Sequence, residues 1–214
     1  MDRFIAAFPS EPDADLMLCE QNGVAWQADM GERMDYGPDY WAKCSANDES
    51  AIADEINAAR VALVARHYGG RVCDIGIGSG AFVRARPLTV GFDVNPEAIA
   101  WLKARGLFVT PREGFGAFTF WDVLEHVERP AEYLELVPLH GWVFVSVPIF
   151  RDLRAIRESR HYRPGEHLYY WTDEGFIGWM ALHGFRVHEA NDAETRAGRE
   201  SIRSYAFKRA RWPT

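Results

Sequence analysis

Lysine is scarce in this chain: of 24 basic residues only Lys43, Lys103 and Lys208 are lysines, and none stands in a phosphate-loop or Schiff-base setting. Cysteine is sparse too. Cys19, Cys44 and Cys73 are odd in number and widely spaced, which excludes a disulfide framework, and no CxxC pair exists to build a zinc ribbon. No run of about 18 apolar residues occurs, so no membrane-spanning helix is expected. The opening MDRFIAAFPSEPDAD has no long apolar core and does not read as a secretory leader. The expected setting is reducing and cytoplasmic. Acidic groups outnumber basic ones, for a net charge of -7, which works against non-specific attraction to nucleic acid or anionic membranes. The C-terminal residues Arg196, Arg199, Arg203, Lys208, Arg209 and Arg211 read as a solvated strand and tail.

What is present suffices for one substantial domain: 214 residues, 48% of them hydrophobic. Residues 1–50 read as irregular and aromatic-rich. Residues 48–67 carry a helical stripe at Ile52, Ile56, Val61, Leu63 and Val64, with Asp48 as N-cap and Gly69-Gly70 as the stop. Apolar runs at 71–76, 88–94, 107–110, 117–121 and 142–148 then predict five strands. Between them lie a brief helix after the first strand, a helix from Pro96 capped by Asn95, and another over 129–137. A helix over 172–184, capped by Thr172, precedes closing strands at 185–190 and 201–208. Strands alternating with helices predict an α/β fold, with a mostly parallel sheet, helices on both faces and an antiparallel edge strand. Residues 1–67 read as an extension with a cap helix and 68–210 as the main domain, with 151–171 as an insert.

The chemistry begins at Asp74-Ile75-Gly76-Ile77-Gly78-Ser79-Gly80, which follows the first strand and opens a helix. Glycines there let the backbone turn sharply and approach a ligand closely, and the helix start offers unpaired N–H groups. The second strand ends in Asp93, whose carboxylate can accept two hydrogen bonds from a ribose diol. Gly76, Gly78 and Ala81 also fit the dinucleotide pattern G-x-G-x-x-[G/A], so an NAD(P)-dependent oxidoreductase stays open at this point. Asp74, two places before the first glycine, and the extra Gly80 tilt the choice away from it.

D-x-G-x-G-x-G resembles motif I of class I methyltransferases. Phe120-Trp121-Asp122-Val123-Leu124-Glu125-His126-Val127-Glu128-Arg129-Pro130 resembles the DVLEHV…P segment after the fourth strand of ubiquinone-biosynthesis O-methyltransferases and their relatives. Glu166-His167-Leu168-Tyr169-Tyr170-Trp171-Thr172, with Gly184-Phe185, resembles their HLxxWT…GF stretch. The resemblance, over residues 68–190, implies a Rossmann-like fold, S-adenosylmethionine as cofactor and methyl transfer to a small-molecule acceptor, with oxygen the preferred atom. By it, Asp74, Gly76, Ile77, Gly78 and Gly80 hold the methionine part, Asp93 the ribose, and Val94 flanks the adenine. Trp121, Asp122 and Leu124 line the cofactor from the fourth strand, and 151–171 lies on the substrate side. Asp122, Glu125 and His126 match a D/E-x-x-E-H arrangement that some quinone O-methyltransferases use for a divalent metal; the expectation here is no metal, with His126 shaping the pocket. Thr110-Pro111-Arg112-Glu113 departs from the acidic or polar residue that relatives carry near the adenine amine. The short link from strand one to strand two implies an abbreviated first helix.

An acceptor that arrives protonated needs a base. His126 and His167 are the candidates, since imidazole titrates near neutrality, and His161 in the insert is placed to touch substrate. Arg151, Arg154, Arg157, Arg160 and Arg163, spaced by three, would line one helical face with charge, either solvated or reading an anion. No N/D-P-P-Y/F and no Pro-Cys follows the fourth strand, which argues against DNA or glutamine N-methylation and against cytosine C5 methylation. Trp26, Tyr36, Tyr40 and Trp41 are expected to pack over the cleft. Cys19-Glu20-Gln21-Asn22-Gly23 lacks the second cysteine of a CxxCG module. A nucleotide- or nucleic-acid-directed enzyme and a non-catalytic cofactor-binding protein are the alternatives.

Overall fold

The computed structural model describes Ile5, residues 8–29, Met34, and residues 36–48 and 50–210. Its first elements correct the irregular reading of residues 1–50. Strands β1 (Glu11–Asp13), β2 (Leu16–Cys19) and β3 (Val24–Gln27) form an antiparallel ladder. All four residues of β3 are buried, because apolar groups cover both of its faces. Trp26 and Val24 enter the main core, while Ala25 packs with Leu16, Phe150 and Ile156. A strand buried on both sides shows no alternation in its sequence, which is why the pattern concealed it.

Helix α1 (Pro38–Asn47) leads to α2 (Ala51–His67). The cap of α2 is Ser50, whose hydroxyl accepts from the Ala53 amide at 3.1 Å. Asp48 instead accepts from the Ser79 hydroxyl and, at 3.2 Å, from Arg84. Then follow β4 (Val72–Ile75), the five-residue α3 (Ala81–Ala85), β5 (Thr89–Phe92), α4 (Pro96–Lys103), β6 (Ala117–Trp121), α5 (Pro130–Leu134) and β7 (Trp142–Pro148). Helix α3 is abbreviated as expected. Asn95 caps α4 with its side chain. The expected strand at 107–110 reduces to a single bridge between Phe108 and Gly91. Only four residues lie between Gly106, which turns left-handed at φ 65°, and Pro111, which has no N–H to donate.

Strand β8 (Tyr169–Trp171) pairs antiparallel with β3 and joins the small sheet, and α6 (Asp173–Leu182) follows with Thr172 capping it. Strand β9 (Phe185–Asn191), the single turn α7 (Ala193–Arg196) and β10 (Ile202–Arg209) complete the chain. The large sheet runs β5-β4-β6-β7-β10-β9. Its first four strands are parallel, and β10 is antiparallel to both β7 and β9. This is the Rossmann-like α/β architecture expected, with the antiparallel hairpin at its edge. Fully buried Phe118, Phe120, Val143 and Val145 form the centre of the main core.

The five arginines from 151 to 163 do not make a basic helical face. The segment is a short 3-10 turn over Leu153–Glu158, and each guanidinium has an acid: Arg151 with Asp152, Arg154 with Glu20, Arg157 with Asp13 and Asp15, Arg160 with Glu200 and Arg163 with Glu166. The C-terminal basic residues are likewise committed, Arg203 to Asp173 and Arg209 to the carbonyls of Leu134, Glu135 and Val137; Arg211 lies outside the described residues. Among the described residues no helix is long and apolar enough to cross a membrane.

Candidate functional site

The carboxyl ends of β4, β5, β6 and β7 open into one cleft of about 860 Å³, the usual ligand position of an open parallel sheet. Its wall takes Asp74, Gly76, Ile77, Gly78 and Ser79 from the first loop, Asp93 and Val94 from the second, and Trp121 and Asp122 from the third. Tyr36, Tyr40, Trp41 and Cys44 close it on one side, and Ile52, Ile56 and Arg60 of α2 on another. Trp26 does not belong to this cover; it is buried in the core. His126, His161 and His167 line the far end.

The glycine loop is shaped by contact as well as by conformation. Gly76 sits at φ +70°, and a Cβ there would lie 2.7 Å from a methyl of Val123. A Cβ on Gly78, at φ +54°, would meet nothing within 4 Å, so this backbone faces open cleft. Gly80 is set back against the Trp101 ring. Asp93 anchors the loop: its carboxylate accepts from the Asn95 amide at 2.8 Å and from the amides of Val94, Ile77 and Gly78. Burial raises its pKa, and these four amides work against that rise. Val94 is well exposed along the rim. Leu124, expected in the cleft wall, is instead fully buried in the main core. It lies in a 3-10 turn, Leu124–His126, whose successive side chains diverge by about 120°. That rotation sends Leu124 inward while Glu125 and His126 reach the cleft.

Asp74 is almost wholly buried at the end of β4 and accepts from the Thr119 hydroxyl at 2.5 Å. Burial pushes its pKa up to about 8, more than the Thr119 hydrogen bond pulls it down. The folded state therefore holds a proton that the unfolded chain releases near pH 4, so this residue costs stability progressively as pH rises from about 4 to about 8. Asp74→Asn removes that penalty while keeping an oxygen for Thr119. The variant is expected to gain about 2 kcal/mol or more at pH 8.5 and little at pH 4. Denaturant melts at the two pH values check this, and an equal gain at both would refute the assignment.

Asp122 and two arginines form the feature that sequence reasoning missed. Arg60 is bidentate to Glu194 at 2.8 and 2.9 Å and reaches Asp122 at 2.9 Å. Arg199 reaches Asp122 at 2.7 Å and Glu194 at 2.6 Å. Against the burial that would raise it, Arg199 and Arg60 hold the Asp122 carboxyl well below the usual range. Asp122 stands at φ +57°, an uncommon left-handed conformation for a residue with a Cβ. Both arginines feed only its Oδ2, and the buried Oδ1 has no partner. The sequence held one signal for Arg60: it continues Ile52 and Ile56 at a spacing of four, a charge in the row of α2 that borders the cleft.

The far end is imidazole-rich. His126 and His167 meet edge to face with ring centroids 4.6 Å apart, and His161 stacks on His167 at 6.3 Å. His126 Nδ1 lies 3.0 Å from the Glu166 carbonyl and 3.1 Å from the Tyr36 hydroxyl. A carbonyl only accepts, so Nδ1 carries the hydrogen and the lone pair is on Nε2. Burial lowers the pKa of His126 and His161, and burial with the neighbouring His126 pushes His167 down to about 2. All three are neutral at pH 7.

A nucleoside with an amino-acid tail fits this donor set. The Gly78 cradle would be filled by any side chain. Asp93 closes the second strand beside it, and the uncommitted Asp122 Oδ1 is an acceptor for an ammonium group. The methyltransferase-domain family model matches residues 45–190. A comparison with curated protein sequences gives no match. Among solved structures, magnesium protoporphyrin IX methyltransferase from Synechocystis PCC 6803 with bound S-adenosylhomocysteine is similar at TM-score 0.57, with 16% identity over 80% of this chain and 94% of that one. The N-methyltransferase NodS from Bradyrhizobium japonicum, in complex with S-adenosylhomocysteine, is similar at 0.55, with 15% identity over 78% and 91%. The [4+2]-cyclase SpnF is similar at 0.55, with 13% identity over 74% and 81%. Likeness at this identity speaks for the fold.

Proposed function

This chain belongs to the methyltransferase-domain family, and we propose that it methylates an oxygen of a small-molecule acceptor held at the histidine end of the cleft. It is an S-adenosylmethionine-dependent methyltransferase; what the proposal adds is the acceptor, the atom and the residues. The carrying observation is that one continuous cleft joins the glycine loop and Asp93 to the imidazoles of His126, His161 and His167.

When bound, S-adenosylmethionine supplies an electrophilic methyl group on a sulfonium. Gly76, Ile77 and Gly78 form the bed for its amino-acid end, with Asp74 beneath them and Gly80 setting the turn. Asp122 offers Oδ1 to the ammonium. Asp93 grips the ribose, Val94 borders the base, and Trp121 closes the floor under the Arg60 guanidinium, which lies 5.0 Å from its ring centroid. Alignment of the acceptor oxygen with the methyl carbon is the main service a protein gives such a displacement, worth about 7–11 kcal/mol. His126, with the lone pair on Nε2, is the group to receive the hydroxyl proton; His167, its pKa pushed down to about 2, is too weak a base for that step and lines the acceptor's place beside it. Tyr36 and Tyr40, packed edge to face at 4.9 Å, cover a planar acceptor. The pairing of the segment's arginines with acids speaks against a nucleic-acid substrate.

Calorimetry with S-adenosylhomocysteine in chelator-treated buffer tests the cofactor reading: saturable binding is expected, and binding of NADH alone would overturn it. Turnover with labelled methyl donor and a panel of phenols and amines tests the acceptor reading. The expected product is an ether; label found only on amines would refute oxygen. His126→Ala is expected to lower kcat by about 10²–10⁴-fold while S-adenosylhomocysteine affinity stays within about twofold.

A further inference from the structure

We propose that Arg199 reads a carboxylate on the methyl acceptor, which makes the acceptor a hydroxy acid. The inference rests on reading the histidine end of the cleft as the acceptor end. In a guanidinium, Nε–H and the Nη–H beside it form a fork that matches the two oxygens of a carboxylate. This protein uses that edge twice. Arg60 grips Glu194 with Nε and Nη2 at 2.8 and 2.9 Å, and Arg66 grips Glu189 with the same pair of nitrogens. Arg199 is bound differently. Nη1 alone holds both of its acids, Asp122 and Glu194, and among the described residues nothing meets its Nε or Nη2. Neither of those nitrogens is sealed in the interior. The side chain is 25% exposed and stands in the wall of the cleft.

The backbone fixes the fork in that place. Gly198 at φ +105° and Ser201 at φ +56° bracket Arg199 and Glu200, and the left-handed region is uncommon for a residue with a Cβ. Tertiary contacts hold the turn: the Ser201 carbonyl accepts from the Ile149 amide at 2.8 Å, and the Arg199 amide donates to the Glu194 carbonyl at 2.9 Å. Turns of this kind cluster where a side chain has to be aimed. With Nη1 already fixed by two acids, little rotamer freedom is left to lose when the other edge takes a ligand.

Two carboxylates are candidates for the fork, one on the cofactor's amino-acid tail and one on the acceptor. Position favours the acceptor. Arg60 lies on the glycine-loop side, over Trp121, whose ring meets Phe82 of α3 at 5.2 Å. Arg199 lies on the histidine side. Its neighbour Glu200 accepts at the carbonyl from His161 Nε2 at 2.7 Å, and His161 stacks on His167. A carboxylate there meets two parallel donors. The matching carboxamide turns an N–H₂ toward one of them and leaves it unpaired, the kind of mismatch that polar sites discriminate against most strongly.

The test uses the full chain saturated with S-adenosylhomocysteine and titrated calorimetrically with the three monohydroxybenzoates and with the corresponding hydroxybenzamides. At least one acid is expected to bind at least about tenfold more tightly than its amide, the worth of hydrogen bonds to a charged group. Arg199→Gln should bring that ratio close to one. Arg199→Lys keeps a positive charge for Asp122 and Glu194 but has no fork, so it should melt closer to wild type than Arg199→Gln and still lose most of the ratio. Equal affinity of every acid and its amide for the wild-type complex would overturn the inference, and so would a ratio that either variant retains. If Arg199→Gln instead abolishes the preference for S-adenosylhomocysteine over its decarboxylated analogue and leaves the acid-to-amide ratio intact, the fork belongs to the cofactor's tail and the inference is wrong. Failure of wild type to bind S-adenosylhomocysteine at all would strike the cofactor reading, so the failures are separable.

Discussion

Replacing Asp93 with alanine is expected to weaken S-adenosylhomocysteine binding by about 30–150-fold, the worth of a carboxylate making two charge-assisted hydrogen bonds, about 2–3 kcal/mol. Two effects combine in that figure. The carboxylate is the proposed partner of the ribose diol, and it also gathers the amides of Ile77 and Gly78, and with them the shape of the loop. Asp93→Asn separates them. Its amide oxygen still accepts from the backbone, so the loop stays formed, but the charge that strengthens the ribose bonds is gone. The asparagine variant should therefore fall between wild type and alanine. Calorimetry on the three proteins decides the matter, and an alanine variant that binds within about threefold of wild type would refute the assignment of Asp93.

The features that could be read from sequence are those that covalent neighbours create. The bend after β4 is written in Gly76, Gly78 and Gly80, each within a few bonds of the others. The position of Asp93 follows from the end of an apolar run. The start of α4 is visible in Asn95-Pro96-Glu97. What could not be read depends on distant segments. β1, β2 and β3 are individually short, and they acquire a reason to pair only when β8 (Tyr169–Trp171) arrives from far along the chain. The resemblance puts Leu124 in the cleft with Trp121 and Asp122, but a 3-10 turn rotates each residue by a third of a circle. The arginines between 151 and 163 have a regular spacing that signifies nothing, since their acids come from residues 13, 15, 20, 152, 166 and 200. Glu125 is legible as a motif position, but not as an almost wholly buried acid, a property of the folded interior.

The same logic makes Arg60 the most consequential residue that sequence reading overlooked. It joins α2 to α7 and to the end of β6, and it does so inside the protein: the Arg60 side chain is 12% exposed and that of Glu194 is wholly buried. Removing one partner of such an assembly leaves the other charge uncompensated, at about 3–5 kcal/mol. Arg60→Ala is therefore expected to lower the melting temperature by about 10 °C, at roughly 2–4 °C per kcal/mol for a chain of this size. Arg199 cannot take over, because one guanidinium would have to neutralise both Asp122 and Glu194. If the loss comes from the stranded Glu194 carboxylate, the double variant Arg60→Met, Glu194→Met should recover most of it, since well-packed apolar groups replace buried ion pairs at little cost. If the loss comes from the missing aliphatic stem, the second substitution recovers nothing. Arg60→Ala also releases Asp122 from one of the two groups that fix its strained backbone, so S-adenosylhomocysteine affinity should fall together with stability. A variant that melts within about 2 °C of wild type would show that the four charges are a surface ornament rather than the brace of the cleft floor.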